Sequence, residues 1–423
     1  MNNFTTETYQ MKRDILNFSG KIAKGTYKST KKLTMDMCYG ILSSRNCLLS
    51  NIARNLKEDI KLANTVDRLS NNLANLEEKE EEKLKNNYYA EVMKYLPEEY
   101  VIVLNDDTDL NKEYSTKLED LCVVRDASSQ IDRYVNGYKV CEYCALTIKE
   151  KSPISLYSKI YSTVSEEFKS ENEETIKGEN KVIDLLKEYN KKPIFVRDRG
   201  YDANEFLKKD IQEDNKFVTR LKGNRNLIFK DKQRIVEDVV KKRKGKIVTK
   251  LIYRGENKEC YISYTKVKLP VCNKKEISLV TIHGLNDDEP MILLTNLEVK
   301  GKEDAEHIVR LYFLRWRIEE YFKAKKETNW ENSLLRTLKS INNLNLFLTI
   351  CMGYLSIQVE KMTTNFYSNI IIERAKSLKK KFLVYLGVMA TGIYEILKKA
   401  RTGIKEWQEI EHREKYRQLE FKI

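Results

Sequence analysis

Leu, Ile and Ala recur at three- and four-residue spacing from Ile41 to Leu73, and strand formers are sparse before about residue 97, so the opening segment is predicted to be helical. Two short amphipathic stretches within it, Ser50–Lys57 and Thr65–Leu73, carry Arg and Asn on their polar sides. A helix-turn-helix reader sets such side chains against DNA; a plain helical bundle has the same pattern. The acidic run Glu77 to Glu82 reads as a solvated helix face.

From Tyr100 the period changes. Tyr100 to Leu104 is a short apolar β-rich run, expected to end at Asn105-Asp106-Asp107-Thr108-Asp109-Leu110 and so to leave acids at the tail of a buried strand. Leu121 to Arg125 and Tyr138 to Ile148 are further strand candidates. A helix over about Glu173 to Tyr189 leads to a second strand of the first kind, Pro193 to Gly200, with Asp198 at its tail. A helix from Ala203 to Gln212 and a strand from Lys216 to Leu221 complete an α/β core with a mixed sheet. Lys246 to Tyr253, Glu259 to Val267, Glu276 to Ile282 and Pro290 to Leu297 then read as strands of an all-β insertion. Lys302 to Lys326 is strongly helical, and helices continue to Ile423 with breaks expected near Gly353, Gly387 and Gly403. The expected organisation is a helical DNA-binding domain (1–97), a core split between 98–228 and 300–350, a β-rich insertion (229–299) and a C-terminal helical region (351–423) suited to dimerisation.

Composition narrows the class. The 423 residues hold 77 Lys and Arg against 63 Asp and Glu, a formal charge of +14, with 41% apolar residues to build cores. A basic balance makes a polyanion the first partner to consider. The N-terminus lacks the charged, apolar, small-residue pattern of a secretory signal, so a cytoplasmic protein is expected. The most apolar stretches, Leu344–Val359 and Phe382–Tyr394, fall short of the roughly 20 residues of a membrane span and read as buried helices. Eight Cys and three His (His283, His307, His412) offer one close pair, Cys141 and Cys144, and no matching second pair for zinc.

An Asp at the end of an apolar strand is costly unless it is paired, hydrogen-bonded or holding a metal. Asp106 and Asp198 could lie on adjacent strands, where two carboxylates repel, shift a pKa or recruit a divalent cation. Oxygen donors with few His favour Mg²⁺ or Mn²⁺. On the helix after the insertion, with Tyr312 as origin, Arg315 falls near −60°, Glu319 near −20°, Lys326 near −40° and Lys323 near +20° at about 100° per residue. One face thus presents a carboxylate among a phenol and cations, the set that phosphodiester chemistry needs. The same residues could equally be a solvated face of ion pairs such as Arg315 with Glu319.

The spacing Tyr312-x2-Arg315-x3-Glu319-x6-Lys326 resembles, residue for residue, the Tyr-Arg-Glu-Lys signature of the insertion-sequence-four family of DDE transposases. Asp106-Asp-Thr-Asp-Leu110 is similar to that family's first Asp motif and Asp198-Arg-Gly-Tyr-Asp202 to its second, and a β insertion before the Glu is characteristic of it. The resemblance runs from the helical N-terminal region to about Phe347. It implies a ribonuclease-H-like core in which Asp106, Asp198 and Glu319 hold two Mg²⁺ ions, Arg315 and Lys326 grip the backbone beside the scissile phosphate, and Tyr312 contacts a terminal phosphate. It also implies a homodimer that pairs two element ends, excises them and joins them to target DNA, in a prokaryotic cell and on the nucleoid when bound. Asp107 and Asp109 stand beside Asp106 as alternative first ligands, while Glu320 lies about 100° from Glu319 and is the weaker choice. Arg220, Lys222 and Arg225 form a basic cluster that is either a phosphate contact or surface charge. Trp316 and Trp330 could stack on a flipped base or belong to the core. Two other readings share these residues: a domesticated, catalytically inactive sequence-specific DNA-binding protein, and a metal-dependent nuclease without strand transfer.

Overall fold

The computed structural model describes residues 3–126, 131, 133–241, 243, 245–253, 255–285, 289–376 and 385–405. The helical period of the first segment folds as α1 (Asn3–Ile22), α2 (Lys28–Ser44), α3 (Leu49–Leu56), α4 (Leu62–Ala74) and α5 (Glu78–Val92). The two amphipathic stretches become α3 and α4. Their basic residues differ in setting: Arg54 reaches Asn51 at 3.1 Å on the surface, whereas Arg68 is drawn inward onto Asp36 at 2.7 Å and Glu58 at 2.8 Å.

Next come β1 (Tyr100–Asn111), β2 (Cys122–Arg125), β3 (Tyr134–Leu146), β4 (Pro153–Tyr161), α6 (Glu171–Glu188), β5 (Lys192–Arg197), α7 (Asn204–Glu213) and β6 (Lys216–Arg220). Residues 226–295 supply β7 (Asn226–Phe229), β8 (Lys232–Ile235), α8 (Val236–Val240), β9 (Ile247–Tyr253), β10 (Glu256–Leu269), β11 (Cys272–His283) and β12 (Met291–Thr295). The chain closes with α9 (Lys302–Phe313), α10 (Trp316–Lys326), α11 (Leu338–Glu360), α12 (Phe366–Arg374) and α13 (Tyr385–Leu397). The result is a mixed α/β protein with helices at both ends of a twelve-stranded sheet, ordered β2-β3-β1-β5-β6-β12-β11-β10-β7-β8, with β4 on β3 and β9 on β10. β1, β5 and β6 pair in parallel, and β12 joins β6 antiparallel, so β7 to β12 continue the same sheet.

Several details depart from the sequence expectation. β1 does not stop at Leu104: its acids stay in the strand because β3 keeps pairing with it out to Asn111, after β5 has ended its pairing at Asn105. β4 was not foreseen, and the short α8 lies between β8 and β9. The helix expected over 302–326 is split at Leu314 and Arg315, whose amides bond three residues back, to Leu311 at 3.2 Å and Tyr312 at 3.0 Å, a tighter 3₁₀ turn. Gly353 breaks nothing; it lies inside α11, where a Cβ would stand 2.5 Å from the Tyr88 ring, so the glycine permits close approach of α5. Gly387 likewise sits within α13. Leu344–Val359 is buried within α11 as expected. Of the other apolar stretch only Tyr385 onward lies among the described residues, and His412 and the last part of the C-terminal region lie outside them. No described helix is long and apolar enough to cross a membrane.

Candidate active site

Strand alternation sends the β1 acids to opposite faces of the sheet. Asp106 is the rung partner of Glu142 on β3, and both face the side covered by α10; Asp107 and Asp109 are rung partners of Cys141 and Lys139 and face α6. On β5, Arg197 points toward α6 and α7, where it pairs with Glu179 and Asp210, which leaves Asp198 for the α9 and α10 side. Asp106 and Asp198 therefore come together just past the point where the parallel pairing of β1 with β5 ends.

α9 and α10 close over this edge. The Tyr312 hydroxyl donates to Asp198 Oδ1 at 2.9 Å, and the Arg315 guanidinium donates to Asp106 Oδ2 at 3.1 Å and, through its other nitrogen, to Glu319. The 3₁₀ turn at Leu314 and Arg315 sits between these two contacts. Tyr312, Arg315 and Glu319 thus share one side, as the helical spacing predicts: Tyr312 holds Asp198, and Arg315 bridges Asp106 and Glu319.

Electrostatics separates the two aspartates. Burial pushes the Asp106 carboxyl up to about 6, with Arg315 pulling the other way and Asp198 and Glu319 adding repulsion. At Asp198 burial also raises the pKa, but Arg315, the Arg199 amide, the Tyr312 hydroxyl and Arg220 together hold it below the ordinary carboxylate value. Burial and the charge of Asp198 raise the Tyr312 phenol, so it stays a hydrogen-bond donor at neutral pH.

The remaining candidates divide. Lys326 reaches Glu331 at 3.1 Å and is partly exposed, and Lys323 is exposed. Arg220 acts on Asp198 and Tyr312 through its charge. Lys222 is exposed, and its backbone amide donates to Asp202 Oδ2 at 2.7 Å. Arg225 is engaged by Asp202 and by Asn204 at 2.9 Å, so its guanidinium braces the loop after Asp198. Glu320 turns away to Arg317 at 2.8 Å. Trp330 is fully buried and belongs to the core, whereas Trp316 is 53% exposed. Cys141 and Cys144 are free and buried.

Among the described residues no three His, Cys, Asp or Glu side chains stand close enough to hold a metal ion as they lie. The acids close on a guanidinium: Arg315 is bonded to Asp106 and Glu319, and Asp198 is the opposite charge acting most strongly on it. Three carboxylates gathered around one positive charge are hard oxygen donors of the kind that suits Mg²⁺ or Mn²⁺, so the donor chemistry fits a divalent cation. Sequence reading missed Lys325 and Glu142, both fully buried and paired to each other at 3.0 Å. The signal was available in the period: Lys325 lies seven residues after Ile318 and four after Tyr321, on the buried arc of α10.

Residues 162–354 match the family model described as Transposase DDE domain. The matched span includes Asp198, Tyr312, Arg315, Glu319 and Lys326 and begins after Asp106. No curated protein matches the chain. The family match supports a DDE transposase, a nucleic-acid-processing enzyme of a class that works with divalent metal ions.

Proposed function

We propose, from that match and the geometry around Arg315, that the chain is a cut-and-paste DNA transposase of the insertion-sequence-four type, with a ribonuclease-H-like core. It would bind the terminal inverted repeats of its element, cleave at their boundary and join the 3′-hydroxyl ends to target DNA. The observation that carries the reading is the meeting of Asp106, Asp198 and Glu319, from three distant segments, on Arg315 and Tyr312. Asp106, Asp198 and Glu319 would hold two Mg²⁺ ions, with Mn²⁺ as a substitute, and ions bound there supply positive charge at a phosphate and acidify water.

The chain's own residues have definite tasks in this reading. The planar guanidinium of Arg315 matches a phosphate as well as it matches a carboxylate, so a DNA backbone at this edge competes with Asp106 and Glu319 for its donors. Lys326 and Lys323 extend the cationic side of α10 along the backbone. Tyr312, protonated at neutral pH, keeps one oxygen of Asp198 oriented and the carboxylate ionised. Arg220 would add charge from β6, and the exposed Lys222 would meet phosphate, whereas Arg225 would serve by shaping the Asp202 loop. Exposed polar residues of α3 and α4, Arg54 and Asn51 among them, would contact the repeat. The C-terminal helices would join two copies in a complex that holds both ends.

The test uses end-labelled duplexes carrying the repeats that flank the gene, with wild-type protein or Asp198→Ala, in Mg²⁺ or EDTA. Boundary cleavage by wild type in Mg²⁺, falling to background in Asp198→Ala and in EDTA, is the expected result. Strand-transfer products mark a transposase and their absence a nuclease. Binding without cleavage in either Mg²⁺ or Mn²⁺ would overturn the catalytic reading in favour of a domesticated DNA-binding protein.

A further inference from the structure

Beneath the site lies a buried polar cluster that the proposed chemistry does not use. The Lys325 ammonium, on the inner side of α10, donates to Glu142 Oε2 at 3.0 Å, Asn345 Oδ1 at 2.8 Å and Ser158 Oγ at 3.3 Å. It also lies over the rings of Trp330 at 4.6 Å and Tyr321 at 5.4 Å. Glu142 accepts in turn from the Ser155 hydroxyl on one oxygen and from Ser158 at 2.8 Å on the other. Both charged side chains are 0% exposed. A buried ion pair of this kind is weak evidence for net stability, because desolvating the two charges offsets their attraction. Its directional bonds can instead select one packing out of several.

The placement says which packing. Glu142 is the direct rung partner of Asp106 across β1 and β3, so the two side chains share one side of the sheet. Lys325 is on the same helix as Glu319. One rung of the sheet therefore offers one carboxylate to Arg315 at the site and the other to the helix that carries Glu319. The apolar contacts of α10, through Ile318, Tyr321, Phe322 and Ala324, are non-directional and tolerate a small slide or rotation. A turn of the helix by a single residue would carry Glu319 about 100° from Asp106. We infer that the buried Lys325–Glu142 pair, with Ser155, Ser158 and Asn345, is a positioning device that sets Glu319 across Arg315 from Asp106 and so sets the divalent-cation affinity of the acid cluster. The inference rests on the functional reading above.

The test compares Lys325→Met, which keeps the length of the side chain and removes the charge, with Glu142→Gln, which keeps an acceptor. Full-length proteins are titrated with Mn²⁺ by electron paramagnetic resonance, free and with repeat DNA, with Asp198→Ala as the zero. Cleavage is followed against Mg²⁺ concentration, alongside DNA affinity and thermal melting. A positioning role predicts native-like DNA affinity, a Mn²⁺ midpoint raised about tenfold in Lys325→Met, and cleavage that recovers as metal is raised. Glu142→Gln should shift in the same direction by less. If Lys325→Met does not fold, the Mn²⁺ midpoint of Glu142→Gln decides by itself. An unchanged midpoint and unchanged metal dependence with only a lower melting temperature would overturn the inference and leave the functional reading intact. A wild-type protein that neither binds Mn²⁺ nor cuts would overturn both.

Discussion

Asp106 and Asp107 are neighbours in the chain and face opposite sides of the sheet, so the same side chain meets two environments. Asp106 has Arg315 to answer its charge, whereas Asp107 lies among Cys141 and Tyr201 with Asp106 repelling it, and burial pushes it up to about 7. The sign of the consequence follows. A carboxyl whose folded pKa exceeds its unfolded value stabilises the fold while both forms are protonated, and that contribution is lost as pH rises through the folded pKa. Wild-type protein is therefore expected to lose stability at this position between about pH 4 and pH 7. Asp107→Asn, which cannot ionise, should gain on wild type by on the order of 2 kcal/mol at pH 8 and gain little at pH 4. Denaturant melts of the two proteins at both pH values check this; an equal difference at the two pH values would refute it.

At the scale of elements, helix propensity and helix packing point in opposite directions along α11. Glycine inside a helix costs about 1 kcal/mol relative to alanine, so propensity by itself expects Gly353→Ala to stabilise the protein. The Tyr88 ring of α5 stands 2.5 Å from where the new Cβ would lie, and the Tyr88 hydroxyl is itself held by the Ser155 carbonyl at 3.2 Å. Overpacking should win, and Gly353→Ala is expected to lower stability by about 1–3 kcal/mol. Thermal melting decides the sign, and Tyr88→Phe in the same background should recover little because the ring itself is in contact. The broken helix of α9 and α10 makes a parallel point. Its 3.6-residue period places Tyr312, Arg315 and Glu319 on one side, and the 3₁₀ turn between the two helices lies where Tyr312 and Arg315 engage Asp198 and Asp106.

For the whole molecule the formal charge of +14 acts at long range, and it bears on binding rather than on fold. Affinity for duplex DNA should fall steeply with salt. Removing one phosphate-contacting cation should reduce the slope of log K against log salt by about one. Lys323→Ala and Lys326→Ala are each expected to do so, uniformly across DNA sequences, whereas Arg225→Ala should act mainly by loosening the Asp202 loop and leave the slope nearly unchanged. Fluorescence anisotropy at several salt concentrations separates the two cases.

The period of each segment is legible in the residues alone, and with it the helical opening, most of the strands and the single side of α9 and α10 on which Tyr312, Arg315 and Glu319 fall. These are local properties, set by steric and hydrophobic patterning within a dozen residues. The sequence also made Asp106 and Asp198 suspect, because acids next to apolar strands need a partner. The identity of those partners comes from the folded arrangement of distant segments. The extension of β1 through its acids depends on β3, more than twenty residues later, and the link from Asp106 through Arg315 to Glu319 depends on a helix more than two hundred residues away. Lys325 illustrates the limit most clearly. The period of α10 puts it on the buried arc, but a cation there becomes a buried anchor only because Glu142, Ser158 and Asn345 surround it from three other elements. A charge is tolerated in the interior only where such partners converge, and convergence is a property of the fold and not of any one segment.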